Sequence, residues 1–261
     1  MERGDIYKAL EDDFTSTFIR ELMPGVLHNF ANPLNGIMGR SKLLQRRIDD
    51  VVKKIEERFP ETSAALQDEL QRIKNDIRSV SRESDTFFEM FRDASGKFYA
   101  LAARGDERIN LSQLLAAEMR FANFYLEFKH EIRKEVKLDG ETPDIKGNVA
   151  ELTLAFWRLI RFAMSRALAD SNKDFFLTTK HDHENIMIII QYSGESVSGD
   201  EKDRLVKYLD GDILSLENSA MEKGFLMAIE ILKKHSTRLH FGLENGRNVI
   251  CLTIPHRIAK T

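Results

Sequence analysis

The chain has 261 residues, 42% of them hydrophobic, enough to bury a core in one large domain or two smaller ones. Its 39 basic and 42 acidic residues are interspersed, for a formal charge of -3, so no basic stripe for nucleic acid is expected. A single cysteine, Cys251 in an apolar run, excludes an intramolecular disulfide framework and a cysteine-built metal site and reads as a buried small hydrophobe.

The first residues, MERGDIYKALEDDF, hold no apolar leader, and the longest aliphatic run, 186–190, falls far short of the roughly 20 residues that span a bilayer. A cytoplasmic protein without a membrane segment is expected. From Leu27 the apolar or small positions fall at Leu27, Phe30, Leu34, Ile37, Ser41, Leu44, Ile48, Val51 and Ile55, alternating steps of three and four. That is a heptad seam. Phe59-Pro60-Glu61-Thr62 breaks it with a proline and an N-cap candidate, and the alternation resumes at 66, 70, 73, 77, 80, 84, 87, 91, 94, 98 and 101.

Two long helices joined by a short turn make an antiparallel hairpin. One apolar stripe per helix is more than a hairpin can cover, so a homodimer closing a four-helix bundle is expected. Phe87, Phe88, Phe91 and Phe98 fit its core better than a cofactor box.

Ala103-Arg104-Gly105-Asp106 reads as a helix stop and linker, placing the boundary between domains 1–104 and 105–261. The second domain predicts a helix over 111–128, a strand over 132–138, a turn around 140–143 and a helix over 149–169. Strands follow over 175–180 and 186–192, helices over 200–209 and 221–234, and strands over 239–243 and 249–254. Asn245-Gly246 is a two-residue hairpin signal between the last pair. Helices grouped on a mostly antiparallel sheet give an α+β fold, with this half an α/β sandwich.

His28 follows the seam residue Leu27, which sets it on the flank of the bundle, with Asn32 and Asn35 on the same face. Pro33, without an amide, is expected to bend the helix just after it. A solvent-facing neutral imidazole can carry a phosphoryl group on a ring nitrogen, though a lone helical histidine is more often an ordinary surface residue. His181-Asp182-His183-Glu184 offers metal-ligand types but lies between two predicted strands, where a solvated turn is the better reading; no metal site is expected.

The string His28-Asn29-Phe30-Ala31-Asn32-Pro33-Leu34-Asn35-Gly36-Ile37, at the start of a heptad hairpin, resembles the H-box of bacterial histidine kinases. The resemblance implies that His28 accepts a phosphoryl group and passes it to an aspartate of a response-regulator receiver domain, which holds the Mg²⁺. Asn29 stands where the family commonly has an acid, and an amide cannot take a proton, so autophosphorylation from ATP is put in doubt. Asn32 stands where the family orients a water for dephosphorylating the partner.

The resemblance also implies a second domain of the histidine kinase ATPase type, whose nucleotide boxes have here lost their polar residues. Phe162 replaces the metal-binding asparagine. Tyr192 replaces the adenine-reading acid, with Gly194 kept and Ser196 in place of the second glycine. In the lid box Gly224 is kept and Leu226 replaces the other glycine. These losses imply no bound cofactor and a stand-alone phosphotransferase resembling the sporulation type, and the short stretch before the hairpin leads to the expectation of no sensor domain. Two alternatives stand beside it: an ATP-dependent kinase or phosphatase with divergent boxes, and a non-catalytic pseudokinase that sequesters receivers. The docking face is expected below His28, at Arg40, Leu43, Leu44 and Arg47.

Overall fold

The computed structural model describes residues 23–61, 66–210 and 223–256 and divides into two compact units, Met1–Phe98 and Tyr99–Thr261. In the first, α1 (Met23–Arg58) and α2 (Gln67–Ala102) run antiparallel, with Lys42 Nζ 3.4 Å from the Asp85 carboxylate across the pair. The helix α1 ends just before Phe59-Pro60 but continues through Pro33, which forgoes one backbone hydrogen bond without ending it. The expected cap at Thr62 lies outside the described residues.

The heptad seam divides in two. One position per heptad is enclosed: Leu27, Leu34 and Ser41 are buried and Ile48 and Ile55 half-buried, as are Leu70, Ile77, Ser84, Phe91 and Phe98 on α2. The other stands in solvent, with Phe30, Ile37, Leu44 and Val51 on α1 and Ile73, Val80 and Phe87 on α2 exposed by 44% to 59%. A lone hairpin encloses only one edge of each stripe.

The second unit comprises β1 (Asp106–Asn110), α3 (Leu111–Ala122), α4 (Leu126–Glu131), β2 (Arg133–Lys137), β3 (Asp144–Asn148), α5 (Val149–Ala169), β4 (Asp174–His181), β5 (Asn185–Tyr192), α6 (Gly199–Leu209), α7 (Lys223–Lys233), β6 (Arg238–Glu244) and β7 (Arg247–Pro255). Five strands form the main sheet in the order β2-β4-β5-β7-β6, parallel between β2 and β4 and antiparallel elsewhere. Alternation on β5 sends Ile186, Ile188, Ile190 and Tyr192 into a core shared with Phe156, Leu159, Ile160 and Phe162 of α5. Residues 245 and 246 both have positive φ, +52° and +76°, the backbone that the Asn-Gly turn supplies.

Three expectations are corrected. The single helix over 111–128 is two, because the amides of Asn123, Phe124 and Tyr125 bond to carbonyls three residues back. That tight turn brings Phe124 to Phe121 (ring centroids 5.6 Å) and Tyr125 to Trp157 (5.9 Å), so aromatic packing outweighs helix continuation. The strands β1 and β3 were not expected: each is polar and sends one isoleucine, Ile109 or Ile145, into the core, too little alternation to register. They pair with each other and end in Asn110 and Asn148, whose side chains cap α3 and α5 by accepting from the amides of Gln113 and Glu151. Cys251 is half-buried, and burial raises its thiol pKa. Residues 221 and 222 of the expected helix over 221–234 lie outside the described residues.

Candidate functional site

His28 stands exposed one residue past buried Leu27, with Asn32 and Asn35 exposed on the same side of α1. At about 100° per residue, positions 28, 32, 35, 39, 42 and 46 make one stripe, turned away from the exposed Phe30, Ile37, Leu44 and Val51 edge. Arg40, Leu44 and Arg47 stand roughly 100° or more round the helix from His28. Lys42 and Arg46 take their place on its stripe, with Leu43 beside it. No acid occurs on α1 before Asp49, so His28 has no carboxylate neighbour on its own helix. The side chain of Asn29 lies outside those described. What this face offers chemically is an imidazole open to solvent, with a carboxamide one turn away.

In the second unit, two positions singled out for nucleotide chemistry meet in the core. Phe162 and Tyr192 are each 1% exposed with ring centroids 6.1 Å apart, and buried Phe225 completes the cluster at 4.4 Å from Phe162. The Arg166 guanidinium lies 3.6 Å from the Phe162 centroid. Burial pushes the Tyr192 phenol up to about 12, with Arg166 opposing and Glu195 adding to the shift, so it stays neutral at physiological pH.

Gly194 has φ +101°, and a Cβ there would sit 2.5 Å from the Arg166 carbonyl oxygen. Its own carbonyl accepts from Asn248 Nδ2 at 2.8 Å. Its glycine is therefore required by the close approach of the loop after β5 to the last turn of α5. Gly224 lies under the Arg158 side chain, which a Cβ would meet at 3.1–3.3 Å, and Leu226 is half-buried against the core. Ser196 is exposed and joins none of these contacts.

Phe225, Arg158 and Arg166 were not singled out in the sequence. Phe225 could have been, since it is a bulky residue beside Gly224. The approach of Arg158 to Gly224 and of the Arg166 carbonyl to Gly194 carries no local signal, because each joins segments far apart in the chain, whereas Arg166 over Phe162 is a contact one turn apart on α5.

The His181-Asp182-His183-Glu184 segment is a turn: Asp182 Oδ1 accepts from the amides of Glu184 and Asn185, both at 2.8 Å. His181 Nδ1 lies 2.5 Å from Asp139, whose carboxyl is held below the usual range chiefly by the Glu141 amide and then by His181. Among the described residues no group of three or more acidic, histidine or cysteine side chains could hold a metal ion, and no helix is long and apolar enough to cross a membrane.

No family model and no curated protein matches this chain. Solved structures resemble it. The catalytic domain of histidine kinase ThkA is 14% identical over 59% of this chain and 98% of its own, with a TM-score of 0.49. The Mycobacterial sensor histidine kinase MprB is 14% identical over 59% of this chain and 99% of its own, at 0.46. Histidine kinase ThkA in complex with response regulator protein TrrA is 12% identical over 95% of this chain and 67% of its own, also at 0.46. Likeness of this degree assigns neither family nor function.

Proposed function

We propose that this chain is a histidine phosphotransfer protein of the two-component kind, in which His28 takes a phosphoryl group from one receiver aspartate and returns it to another. The observation that carries this reading is a contrast. His28 stands exposed on an outer helical face, while Phe162 and Tyr192, at positions where the resemblance of the second domain to a kinase ATPase would place nucleotide ligands, are spent on packing with Phe225. Three buried rings, one of them a neutral phenol, offer neither a carboxamide to Mg²⁺ nor a carboxylate to adenine, so these residues do not fit a kinase-type nucleotide.

In the transfer, a neutral ring nitrogen of His28 attacks the phosphorus of the receiver's acyl phosphate. A P–N bond forms, the P–O bond breaks, the aspartate leaves as carboxylate, and the imidazole's remaining proton passes to water. Metal chemistry for this step belongs to the receiver. Donation reverses it, and Asn32, exposed one turn from His28, would orient water should phosphate instead be released from the partner.

Dimerisation is part of the proposal. Seven-residue repeats of exposed apolar side chains on both helices are the edge a second hairpin would cover, and the His28 stripe faces away from it.

The competing reading is an ATP-dependent kinase, and it requires the aromatic cluster to open. Purified protein is incubated with labelled ATP and Mg²⁺, and separately with phosphorylated receiver domains, and acid-labile phosphate is scored on wild type and His28→Ala. Label from a receiver alone, lost in the variant, is the expected result. Label from ATP makes the chain a kinase, and label that survives in His28→Ala removes the histidine from the mechanism.

A further inference from the structure

The hairpin holds a cleft between α1 and α2 of about 410 Å³, lined by Gln45 from α1 and by Asn75, Arg78, Ser81 and Arg82 from α2. Each lining side chain can donate a hydrogen bond, and no carboxylate is among them. Asn75 Oδ1 already accepts from Gln71 Nε2 at 3.0 Å, so its amino group is what remains to offer. Arg78 and Arg82 are one turn apart, where like charges repel, and neither has an ion-pair partner among the described residues. Of the acids that follow on α2, Glu83 lines a separate groove with Val80 and Phe87, and Asp85 is engaged by Lys42 at 3.4 Å. Helix α1 adds Arg40, Lys42, Arg46 and Arg47 before its first acid.

Two adjacent guanidiniums in a donor-only cleft are matched to a planar or tetrahedral oxyanion, which accepts from both and cancels their repulsion. We propose that this cleft is an oxyanion-binding site taking a carboxylate or phosphate group. Two sources share that chemistry: an acidic side chain of the protein that exchanges phosphoryl with His28, or a free phosphate compound. The first source rests on the function proposed above. Its geometry is favourable, because Gln45 follows His28 by about 25 Å of helix and a domain of about 100 residues, with a radius of gyration near 13 Å, can cover both.

The test has two arms on the full chain. In the first, arginine Nε–Hε resonances are followed by NMR during titration with inorganic phosphate against a chloride control, in wild type, Arg78→Gln/Arg82→Gln and Arg78→Lys/Arg82→Lys. The site predicts saturable shifts of Arg78 and Arg82, weaker phosphate binding in the lysine variant and none in the glutamine variant. Linear shifts shared equally by Arg40 and Arg47 would mean diffuse surface attraction and would overturn the site.

The second arm measures phosphoryl transfer from a phosphorylated receiver domain. A KM raised roughly fivefold or more in the glutamine variant, with kcat unchanged and a shallower salt dependence, assigns the acidic protein as the source. An unchanged KM in the glutamine variant, with wild type binding phosphate at Arg78 and Arg82, assigns the free compound. If wild-type His28 takes no label, the phosphotransfer reading fails alone, and the first arm still decides the cleft.

Discussion

At the scale of single residues, Phe162 and Gly39 show how differently two positions on helices are constrained. Phe162 touches Tyr192 and Phe225 with its ring and Arg166 with its face, so truncation leaves a cavity that rigid neighbours cannot fill. Phe162→Ala is expected to cost about 3–5 kcal/mol, read as a fall in the urea midpoint of the 99–261 unit. Gly39 lies on the His28 stripe, and a Cβ there would meet nothing within 4 Å. Gly39→Ala is therefore expected to raise the hairpin's melting temperature, by about 0.5–1 kcal/mol of stability, since only backbone freedom is lost. The identities of Phe162, Tyr192 and Leu226 were legible as departures from a polar pattern. That Phe162 and Tyr192 meet each other and Phe225 was not, because residues so far apart in sequence are joined only by the sheet and by α5 and α7.

Among the elements, the two long helices were the most legible, since a 3.5-residue period sustained over many turns has one structural meaning. Periodicity does not say which edge of the stripe is covered. The hairpin takes one and leaves Phe30, Ile37, Val80 and Phe87 in solvent. Ile37→Glu/Phe87→Glu places two carboxylates on that edge, and sedimentation velocity is expected to show a dimeric mass in wild type and a monomeric one in the variant. A monomeric wild type would remove the bundle from the proposal. Helix ends beyond α2 were less legible. Phe124 packs on Phe121 and Tyr125 leaves the helical path for Trp157, and nothing within 111–128 announces Trp157, which lies on α5.

For the molecule as a whole, the 99–261 unit is tied across its sheet at Asp174. Its buried carboxylate accepts from Arg133 Nε and Nη2 on β2, both at 2.7 Å, and from Arg247 Nε on β7 at 2.9 Å, while its amide donates to Ser193 Oγ beyond β5. The Arg133 hydrogen bonds foremost, with Arg247, hold this carboxyl below its ordinary value against the opposing effect of burial. A folded-state pKa below the unfolded one contributes stability that is present above the unfolded value, near 4, and is lost as pH falls through the folded value. Resistance to urea is thus expected to fall below about pH 4, and Asp174→Asn to flatten that decline while costing about 2 kcal/mol at pH 7. Period, punctuation and the letters around His28 were sufficient for two long helices, the main strands, the Asn-Gly turn and a candidate phosphoacceptor, because each is encoded within a few consecutive turns. Contact between distant segments settled the rest: the aromatic cluster behind Gly194, the exposed edge of the heptad stripe, the break at 123–125 and the β1–β3 pair. Those outcomes depend on which surfaces exclude water together, and no stretch of chain carries that information alone.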